Sequence, residues 1–574
     1  MIFLSVVPDK FYFVWQIELQ LFNFRKFGIR KEDIHILLGA DKTYGPSIWF
    51  SDLMRRNEDK ASFFVYGKET DEHLYQPSIR PHTIKQHFAR FPELSREVIF
   101  YHDSDIIFRE LPGFDSLCPG DEWWMADCRF YLDSHYLKRR EQGLFESMCA
   151  LMEIDPRLVE ANDAYAGGAQ SILKGVDAAF WDSIEKDCER LFSLLRRYDT
   201  TLTDPSIPPA IKNDSPSIQS WCTDMWVLFW TGLKMGKTIR LSPELDFTWA
   251  CDPIEKYTGA KIFHNAGVLE DTAPAGQKLF PKTKFNTHSP YYFRPDLYSQ
   301  QYCSWEYVQL IREYEQAQPR EDLTDTSFLI PLFIDSEDRL TNLEMITRYL
   351  YKHFDTTIIV VEAGPEQKVD PGRLAPNVQY HYIEDHNGYF HRTRYNNQLI
   401  KLSRTPFIAL YDVDVIFPPG QVMTSLRALR SGTTSISYPY SGTFYNTAPW
   451  ITDIFRMTLD HTVLERLKDK HATSSRRSLG GCVFLHRDTF ITYGGENEYL
   501  TSWGPDDLER ATRYRILGHS IHRTPGVLYH LHHQRGKNSG YQRETFEQLM
   551  SEYLKVCSQT RDELMAYIET WSFI

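Results

Sequence analysis

The chain has 574 residues, of which 42% are hydrophobic, 14% aromatic and 25% charged, so its composition excludes a disordered or collagen-like protein. A net charge of -13 disfavours a protein whose partner is nucleic acid, because binding to a phosphate backbone requires an excess of Lys and Arg. The length exceeds that of one ordinary domain and favours several domains or two large α/β domains.

No stretch of the sequence offers the roughly 18 uncharged apolar residues that a membrane span requires, so we expect no intrinsic membrane anchor. Residues 3–7 are apolar, but they follow no basic segment and precede no small-residue cleavage site, which favours a first β-strand over a secretion signal. The nine cysteines form no CxxC cluster and indicate reduced thiols. We therefore expect a cytoplasmic protein.

Short β-branched or aromatic runs alternate with amphipathic stretches, a pattern typical of strands wrapped by helices. The pattern occurs twice, and each time a hydrophobic strand is followed by Asp-x-Asp. In the first round we predict strands at 3–7, 34–38 and 98–101 and a helix at 12–27. In the second round we predict strands at 328–334, 357–361 and 407–411 and a helix at 341–354.

This repeated order predicts two α/β domains in tandem, at residues 1–318 and 324–574. A polar segment with a proline at 316–326 follows a predicted helix at 305–314 and marks the expected join. A second polar stretch, at 200–217, is predicted to be a surface loop or lid within the first domain.

The Asp-x-Asp pairs are Asp103 with Asp105 and Asp412 with Asp414. Side chains alternate along an extended segment, so the two carboxylates of a pair point the same way and can share a divalent cation or divide between ribose and metal. Hard oxygen ligands suit Mn²⁺ or Mg²⁺ bridging a diphosphate. The alternative for each pair is a solvated turn at the end of a strand.

A second motif lies at residues 494–509, where a glycine pair is followed by Trp503, Gly504, Pro505, Asp506 and Asp507. The indole of Trp503 offers a flat face for a sugar ring, and a carboxylate at the start of the predicted helix could act as a general base on an acceptor hydroxyl. The alternative is an ordinary surface helix with acidic residues in its first turn.

Three histidines, His530, His532 and His533, stand within four residues near the end of the chain. Imidazole is a common transition-metal ligand, so a late histidine could complete the coordination begun by Asp414. The sequence does not decide which two of the three bind metal.

In the second half, four segments follow one another in the order of a known family: 390–397, 411–414, 479–483 and 503–507. They resemble the inverting GT-A glycosyltransferases of the β-1,4-galactosyltransferase type and the galactosyltransferase-like domains of chondroitin-type polymerases. Pro505, Asp506 and His530 depart from that pattern, in which Gly, Glu and Met occupy these positions.

This resemblance implies a GT-A fold, a UDP-sugar donor and inversion of configuration. It implies that Asp507 is the base and that Trp503, Gly504 and Asp506 hold the acceptor. The remaining residues that it implies are donor contacts and metal ligands. These are Arg392, Arg394, Asp335 and Asp412 for the donor, and Asp414, His530 and His533 for Mn²⁺.

In the first half, segments 12–16, 101–105, 165–170, 221–226 and 262–267 resemble, in that order, the GT-A peptidyl serine and hydroxyproline glycosyltransferases. The resemblance implies a cation held by Asp103, Asp105 and His264. We also predict that Asp103, Gly167 and Gly168 contact the donor, and that Asp224 is the base if this half inverts. The alternatives are a plain turn at Gly167 and Gly168 and a core histidine at His264.

We therefore expect a bifunctional glycosyltransferase with two GT-A domains, which moves sugars from UDP-linked donors to a glycan or polysaccharide acceptor. One alternative is a catalytic second domain with an acceptor-binding first domain. Another is a carbohydrate-binding scaffold without catalysis. A nucleotidyltransferase is disfavoured, because no Gly-rich pyrophosphate loop follows the first strand of either round.

Overall fold

The computed structural model describes residues 1–68, 75–198, 218–266, 268, 277–294 and 297–572. The chain divides into two compact units: unit 1 comprises Met1–Pro290 and Pro295–Tyr314, and unit 2 comprises Tyr291–Arg294 and Glu315–Ile574. The predicted loop at 200–217 and Gly267 lie outside the described residues. The assignment of two domains to 1–318 and 324–574 stays a prediction.

Unit 1 contains a seven-stranded sheet of order β3-β2-β1-β4-β7-β6-β8 and a three-stranded sheet of order β5-β10-β9. Strands β3, β2, β1 and β4 are parallel, and β7 runs antiparallel to β4. The strands are β1 (Ile2–Pro8), β2 (Ile34–Asp41), β3 (Ser62–Lys68), β4 (Val98–Tyr101), β5 (Ile106–Phe108), β6 (Trp123–Asp127), β7 (Gly167–Lys174), β8 (Ile239–Leu241), β9 (Phe247–Trp249) and β10 (Ile262–His264).

Helices cover this sheet, and large aromatic side chains fill the core between them. Trp123, Trp181, Trp226 and Trp230 are all fully buried in it, which accounts for part of the aromatic excess in the sequence. The helices are α1 (Phe11–Lys26), α2 (Ile48–Arg56), α3 (Ile79–Arg90), α4 (Phe114–Leu117), α5 (Arg129–Leu132), α6 (Ser134–Arg140), α7 (Leu144–Leu151), α8 (Pro156–Glu160), α9 (Ala178–Leu195), α10 (Thr223–Lys234) and α11 (Ser304–Ala317).

Unit 2 contains a seven-stranded sheet of order β13-β12-β11-β14-β19-β16-β20 and a four-stranded sheet of order β15-β21-β17-β18. Strands β13, β12, β11 and β14 are parallel, and β19 is antiparallel to β14. The strands are β11 (Glu321–Leu332), β12 (Phe354–Gly364), β13 (Val378–Glu384), β14 (Phe407–Tyr411), β15 (Val415–Ile416), β16 (Ile436–Tyr438), β17 (Thr443–Asn446), β18 (Ala472–Ser475), β19 (Cys482–His486), β20 (Ile521–Arg523) and β21 (Val527–His530).

Across the described parts of the chain, no helix combines the length and the apolar character that crossing a membrane requires. The helices of unit 2 are α12 (Glu337–His353), α13 (Arg392–Leu402), α14 (Pro419–Arg430), α15 (Pro449–Thr458), α16 (His461–Arg466), α17 (Arg487–Thr492), α18 (Asp506–Ile516), α19 (Arg543–Cys557) and α20 (Arg561–Ile568).

Both units are therefore mixed α/β structures with Rossmann-like sheets, and the predicted α/β class is confirmed. In each large sheet the first three strands of the unit lie side by side, and the strand before Asp-x-Asp joins next to the first strand. The carboxyl end of that strand is where ligands bind in open α/β sheets.

The segment predicted as a join is more regular than expected. Helix α11 extends to Ala317 and β11 begins at Glu321, so only Gln318, Pro319 and Arg320 separate them. The polar start of β11 forms a strand because Glu321 and Asp322 pair with the start of β12 while their side chains stay exposed. Polarity there indicates a strand end in solvent instead of a loop.

The small sheets bring late residues of each unit to its Asp-x-Asp. Strand β5 follows Asp105 directly and pairs antiparallel with β10, so that Ile106 faces His264. Strand β15 follows Asp414 directly and pairs antiparallel with β21, so that Val415 faces His530. In both units, an antiparallel strand pair thus brings a late histidine next to the Asp-x-Asp segment.

Candidate active sites

In unit 1, Asp103, Asp105 and His264 form a cluster in which the potential ligand atoms lie within 4.8 Å of one another. The Nε2 atom of His264 is 3.6 Å from Asp103 Oδ2 and 3.3 Å from Asp105 Oδ1. Trp249 stacks on the imidazole with ring centroids 5.7 Å apart and fixes its orientation. Two carboxylates and one imidazole fit Mn²⁺, which accepts mixed oxygen and nitrogen ligands.

Two cationic side chains contact these carboxylates. Arg80 Nη1 lies 3.0 Å from Asp103 Oδ1 and 3.2 Å from Asp224 Oδ2, and the Lys282 ammonium pairs with Asp105. Burial alone would raise the pKa of Asp105, but Lys282 and His264 outweigh it and hold the pKa well below its usual range. No sequence motif predicts a role for Arg80 or Lys282.

Asp224 belongs to this site through Arg80. It lies in the first turn of α10, where its Oδ1 accepts a hydrogen bond of 3.0 Å from the Tyr75 hydroxyl. Burial raises the pKa of Asp224, and Arg80 partly opposes that rise. The guanidinium of Arg80 therefore bridges the predicted base, Asp224, and Asp103.

Gly167 and Gly168 lie at the start of β7, paired with β6, so the alternative of a plain turn is wrong. A Cβ on Gly167 would approach the Ala126 carbonyl to 2.8 Å, and one on Gly168 would lie 3.3 Å from Met225 Sδ. Close packing against neighbouring strands accounts for Gly167, and close packing against α5 and α10 accounts for Gly168. A donor contact for them stays a prediction.

In unit 2, the corresponding cluster comprises Asp414, His530 and His533, again with ligand atoms within 4.8 Å. His530 Nε2 lies 3.6 Å from Asp414 Oδ1, and His533 Nε2 lies 3.1 Å from Asp414 Oδ2. The Nδ1 atom of His533 lies 2.8 Å from the Gln534 carbonyl, a contact that turns Nε2 towards the carboxylate. This donor set also fits Mn²⁺.

His532 lies outside this cluster. Its side chain is exposed, and its backbone N–H donates to Thr452 Oγ1 at 3.0 Å. The structure thus separates the three neighbouring histidines, placing His530 and His533 at Asp414. Extended backbone explains the difference between adjacent residues, since His532 and His533 point to opposite sides.

Arg392 connects Asp412 with Asp506 and Asp507. It begins α13, and its Nη atoms lie 3.2 Å from Asp412 Oδ1, 3.2 Å from Asp506 Oδ2 and 3.5 Å from Asp507 Oδ2. Burial raises the pKa of Asp412 to about 6 and that of Asp506 to about 7. Burial would raise the pKa of Asp507 too, but Arg392 and Arg510 lower it below the usual range.

Arg510 orients Asp507 from within the core. It is fully buried, contacts Glu496 through two atoms at 2.6 and 2.9 Å, and places Nη1 2.9 Å from Asp507 Oδ1. Such a bidentate pair fixes the guanidinium plane. Arg510 was not predicted as a site residue, although its spacing of three residues from Asp507 on one helix indicates a contact.

Two predicted donor contacts differ in their surroundings. Asp335 pairs with Arg339 at 3.0 Å, and a Cβ on Gly536 would lie 2.6 Å from Asp335 Oδ2, so Asp335 adjoins the segment after His533. Arg394 is exposed, and its charge acts on Asp385. The structure does not place Arg394 with Arg392.

The predicted acceptor residues adjoin an aromatic surface. Trp503 is 44% exposed and meets Tyr541 edge to face with centroids 4.7 Å apart, and Tyr541 meets Phe546 in the same way at 5.2 Å. A Cβ on Gly504 would contact Leu549 at 3.0 Å. Exposed rings of this kind suit the apolar faces of sugars.

No protein-family model matches the chain, and no curated protein matches its sequence. Solved structures do match. A Drosophila β-1,4-galactosyltransferase 7 catalytic domain with xylobiose is 17% identical, with 41% of this chain and 81% of that chain covered and a TM-score of 0.24.

Two further matches come from other glycosyltransferases. The glucosyl-3-phosphoglycerate synthase of Mycobacterium tuberculosis, in complex with Mn²⁺, UDP-glucose and phosphoglyceric acid, is 14% identical, with coverages of 43% and 82% and a TM-score of 0.27. GalNAc-T7 with UDP, GalNAc and Mn²⁺ is 13% identical, with coverages of 42% and 49% and a TM-score of 0.28.

Proposed function

We propose that this protein is a bifunctional glycosyltransferase in which each unit is a GT-A domain that uses a nucleotide-sugar donor, with UDP-sugars as the expected donors. One observation carries the proposal: each unit joins an Asp-x-Asp at the end of a parallel strand to a late histidine, and links its first aspartate through an arginine to an aspartate at a helix start. Because the two units have the same arrangement of site residues, two catalytic units are favoured over a scaffold without catalysis.

Sugar transfer breaks the bond between the anomeric carbon and the diphosphate, and negative charge accumulates on the diphosphate. Mn²⁺ would supply positive charge to that leaving group. The residues that would hold it are Asp103, Asp105 and His264 in unit 1, and Asp414, His530 and His533 in unit 2. Asp412, next to Arg392, is available to the nucleotide.

In unit 2 we assign Asp507 as the base. Its side chain is 21% exposed and that of Asp506 only 8%, so an acceptor hydroxyl reaches Asp507 more readily. The low pKa of Asp507 keeps its carboxylate ionised, which is the form that a general base requires. Asp506 then binds the acceptor, and direct attack on the anomeric carbon inverts its configuration.

If unit 1 also inverts, we assign the role of base to Asp224, which contacts Arg80 as Asp507 contacts Arg392. The exposed aromatic surface of Trp503, Tyr541 and Phe546 supports a glycan or polysaccharide acceptor for unit 2. Two transferases in one chain suit alternating addition to a polymer or two successive steps on one glycan. We keep the cytoplasm as the proposed compartment.

The test is hydrolysis of UDP-, GDP- and CMP-sugars with and without Mn²⁺, by the wild type and by Asp105→Ala and Asp414→Ala. We expect two donors to be consumed and each variant to abolish one reaction. Loss with Asp414→Ala alone would leave unit 1 as a binding module. A protein that neither binds nor consumes any nucleotide sugar would be a carbohydrate-binding scaffold.

A further inference from the structure

Lys282 is a partly buried cation at the unit 1 cluster that no part of the proposed chemistry uses. Its ammonium pairs with Asp105, and its side chain is 19% exposed. The Tyr12 hydroxyl lies close enough that the lysine charge opposes the rise that burial causes in the pKa of Tyr12. A buried ammonium is costly unless it is paired, so this position depends on Asp105.

The backbone around Lys282 is anchored independently of that ion pair. Trp15 Nε1 donates to the Phe285 carbonyl at 2.8 Å, and the rings of Phe280 and Phe285 stack with centroids 5.2 Å apart. Phe280 and Phe285 are themselves buried. The flexible side chain of Lys282 can therefore change partner without moving the chain that carries it.

The net charge of the cluster changes sign when a divalent cation is added. The carboxylates of Asp103, Asp105 and Asp224 face the two cationic side chains of Arg80 and Lys282, which leaves a deficit of positive charge. A divalent cation on Asp103 and Asp105 converts that deficit into an excess. An excess of positive charge at one place suits a diphosphate.

We infer that Lys282 has two roles in turn: it is the counterion of Asp105 before a divalent cation binds, and a ligand of the donor diphosphate afterwards. This inference rests on the proposed function of unit 1. It makes Lys282 a competitor of the metal and a partner of the nucleotide. Among the described residues of unit 2, the ion pairs of Asp414 come from His530 and His533.

The two roles predict opposite effects of one substitution. Lys282→Met keeps the length and removes the charge, so Mn²⁺ no longer competes with an ammonium for Asp105. We expect the affinity for Mn²⁺ alone to rise about tenfold, and the affinity for UDP at saturating Mn²⁺ to fall about tenfold, the effect of one charge-assisted hydrogen bond. Lys282→Arg should retain UDP affinity.

The measurements use the full chain carrying Asp414→Asn, so that unit 1 provides the Mn²⁺ site, and titration calorimetry follows Mn²⁺ first and UDP second. Weakening of both affinities, or no change in either, would overturn the inference. If Lys282→Met does not fold, Lys282→Gln carries the same expectations. An Asp105→Asn control distinguishes failure of the Lys282 inference from failure of the proposed function of unit 1. If Asp105→Asn leaves Mn²⁺ binding unchanged, the proposed function of unit 1 fails, whatever the effect of the Lys282 variants.

Discussion

Arg80 and Arg392 occupy equivalent positions in the two units. Each lies at the start of the helix that precedes the Asp-x-Asp strand, α3 before β4 and α13 before β14. Arg80 joins Asp103 to Asp224 at 3.0 and 3.2 Å, and Arg392 joins Asp412 to Asp506 at 3.2 Å each. In both units the second carboxylate opens the helix that leads to the last strand of the large sheet.

Arg80→Lys and Arg392→Lys should each slow one of the two donor reactions. A lysine carries the charge but lacks the planar fork that holds two carboxylates apart, so the rate of the affected reaction should fall about 10²- to 10³-fold. Consumption of each donor checks this. Arg90→Lys, at the exposed end of α3, is the matched control and should change neither rate; loss of both reactions with Arg80→Lys would refute separate sites.

Asp507→Asn should lower transfer by unit 2 about 10²- to 10⁴-fold, the usual effect of removing a general base, while UDP binding stays nearly intact. Asp506→Asn should mainly raise the KM for the acceptor, since Asp506 is assigned to acceptor binding. Steady-state kinetics with varied acceptor separates the two effects. Unchanged turnover in Asp507→Asn would remove this residue from the mechanism.

His533→Gln should weaken Mn²⁺ binding by unit 2 at least tenfold, because it removes an imidazole beside Asp414. His532→Gln is the control next to it in the chain and should leave Mn²⁺ affinity unchanged, because His532 is exposed. Calorimetric titration in an Asp105→Asn background isolates this site. Equal losses in the two variants would contradict the separation of the histidines.

Acid should destabilise unit 1 through His35 and His87. Their rings meet with Nδ1 and Nε2 3.0 Å apart, Tyr66 Oη lies 2.6 Å from His87 Nδ1, and burial lowers the pKa to about 4 for His35 and about 3 for His87. The unfolded chain takes up protons below a pKa of about 6.5 and the folded chain does not, so stability falls as pH decreases from about 6.5 towards 4.

Scanning calorimetry between pH 7.5 and 5 measures this loss. His87→Gln should reduce the drop in Tm, and His135→Gln should not, because the His135 side chain is 75% exposed. Arg90 near His87 and Asp33 near His35 are the charged groups that act on the pair, and Glu32 contributes a backbone hydrogen bond to His35. A drop of the same size in His87→Gln and the wild type would exclude this pair as the cause.

Much of the fold follows from sequence periodicity, and the reasons are local. The apolar runs at 98–101 and 407–411 became β4 and β14 with the predicted bounds, because a short run of β-branched and aromatic residues buries both faces of a central strand. The polar start of β11 was missed, since a strand end in solvent carries no hydrophobic alternation. Composition alone therefore marks strand centres better than strand ends.

The site residues that belong to one short motif, such as Asp412 and Asp414, were predictable from the sequence. Arg80 and Lys282 were not, because each is distant in sequence from the carboxylates that it contacts and neither stands in a recognisable motif. Arg80 could have been found by position, as the basic residue at the start of the helix before an Asp-x-Asp strand. Lys282 reaches its partner only through tertiary packing.

The pairing of β5 with β10 and of β15 with β21 has a consequence for synthesis of the chain. A nascent polypeptide displays both carboxylates of a site well before the ribosome adds the histidine that completes it. Each proposed metal centre can therefore be complete only when its unit is nearly finished, and the ligands of the first centre are all present while the second unit is still being translated. Metal capture by arrested chains of increasing length would mark the completion of each unit.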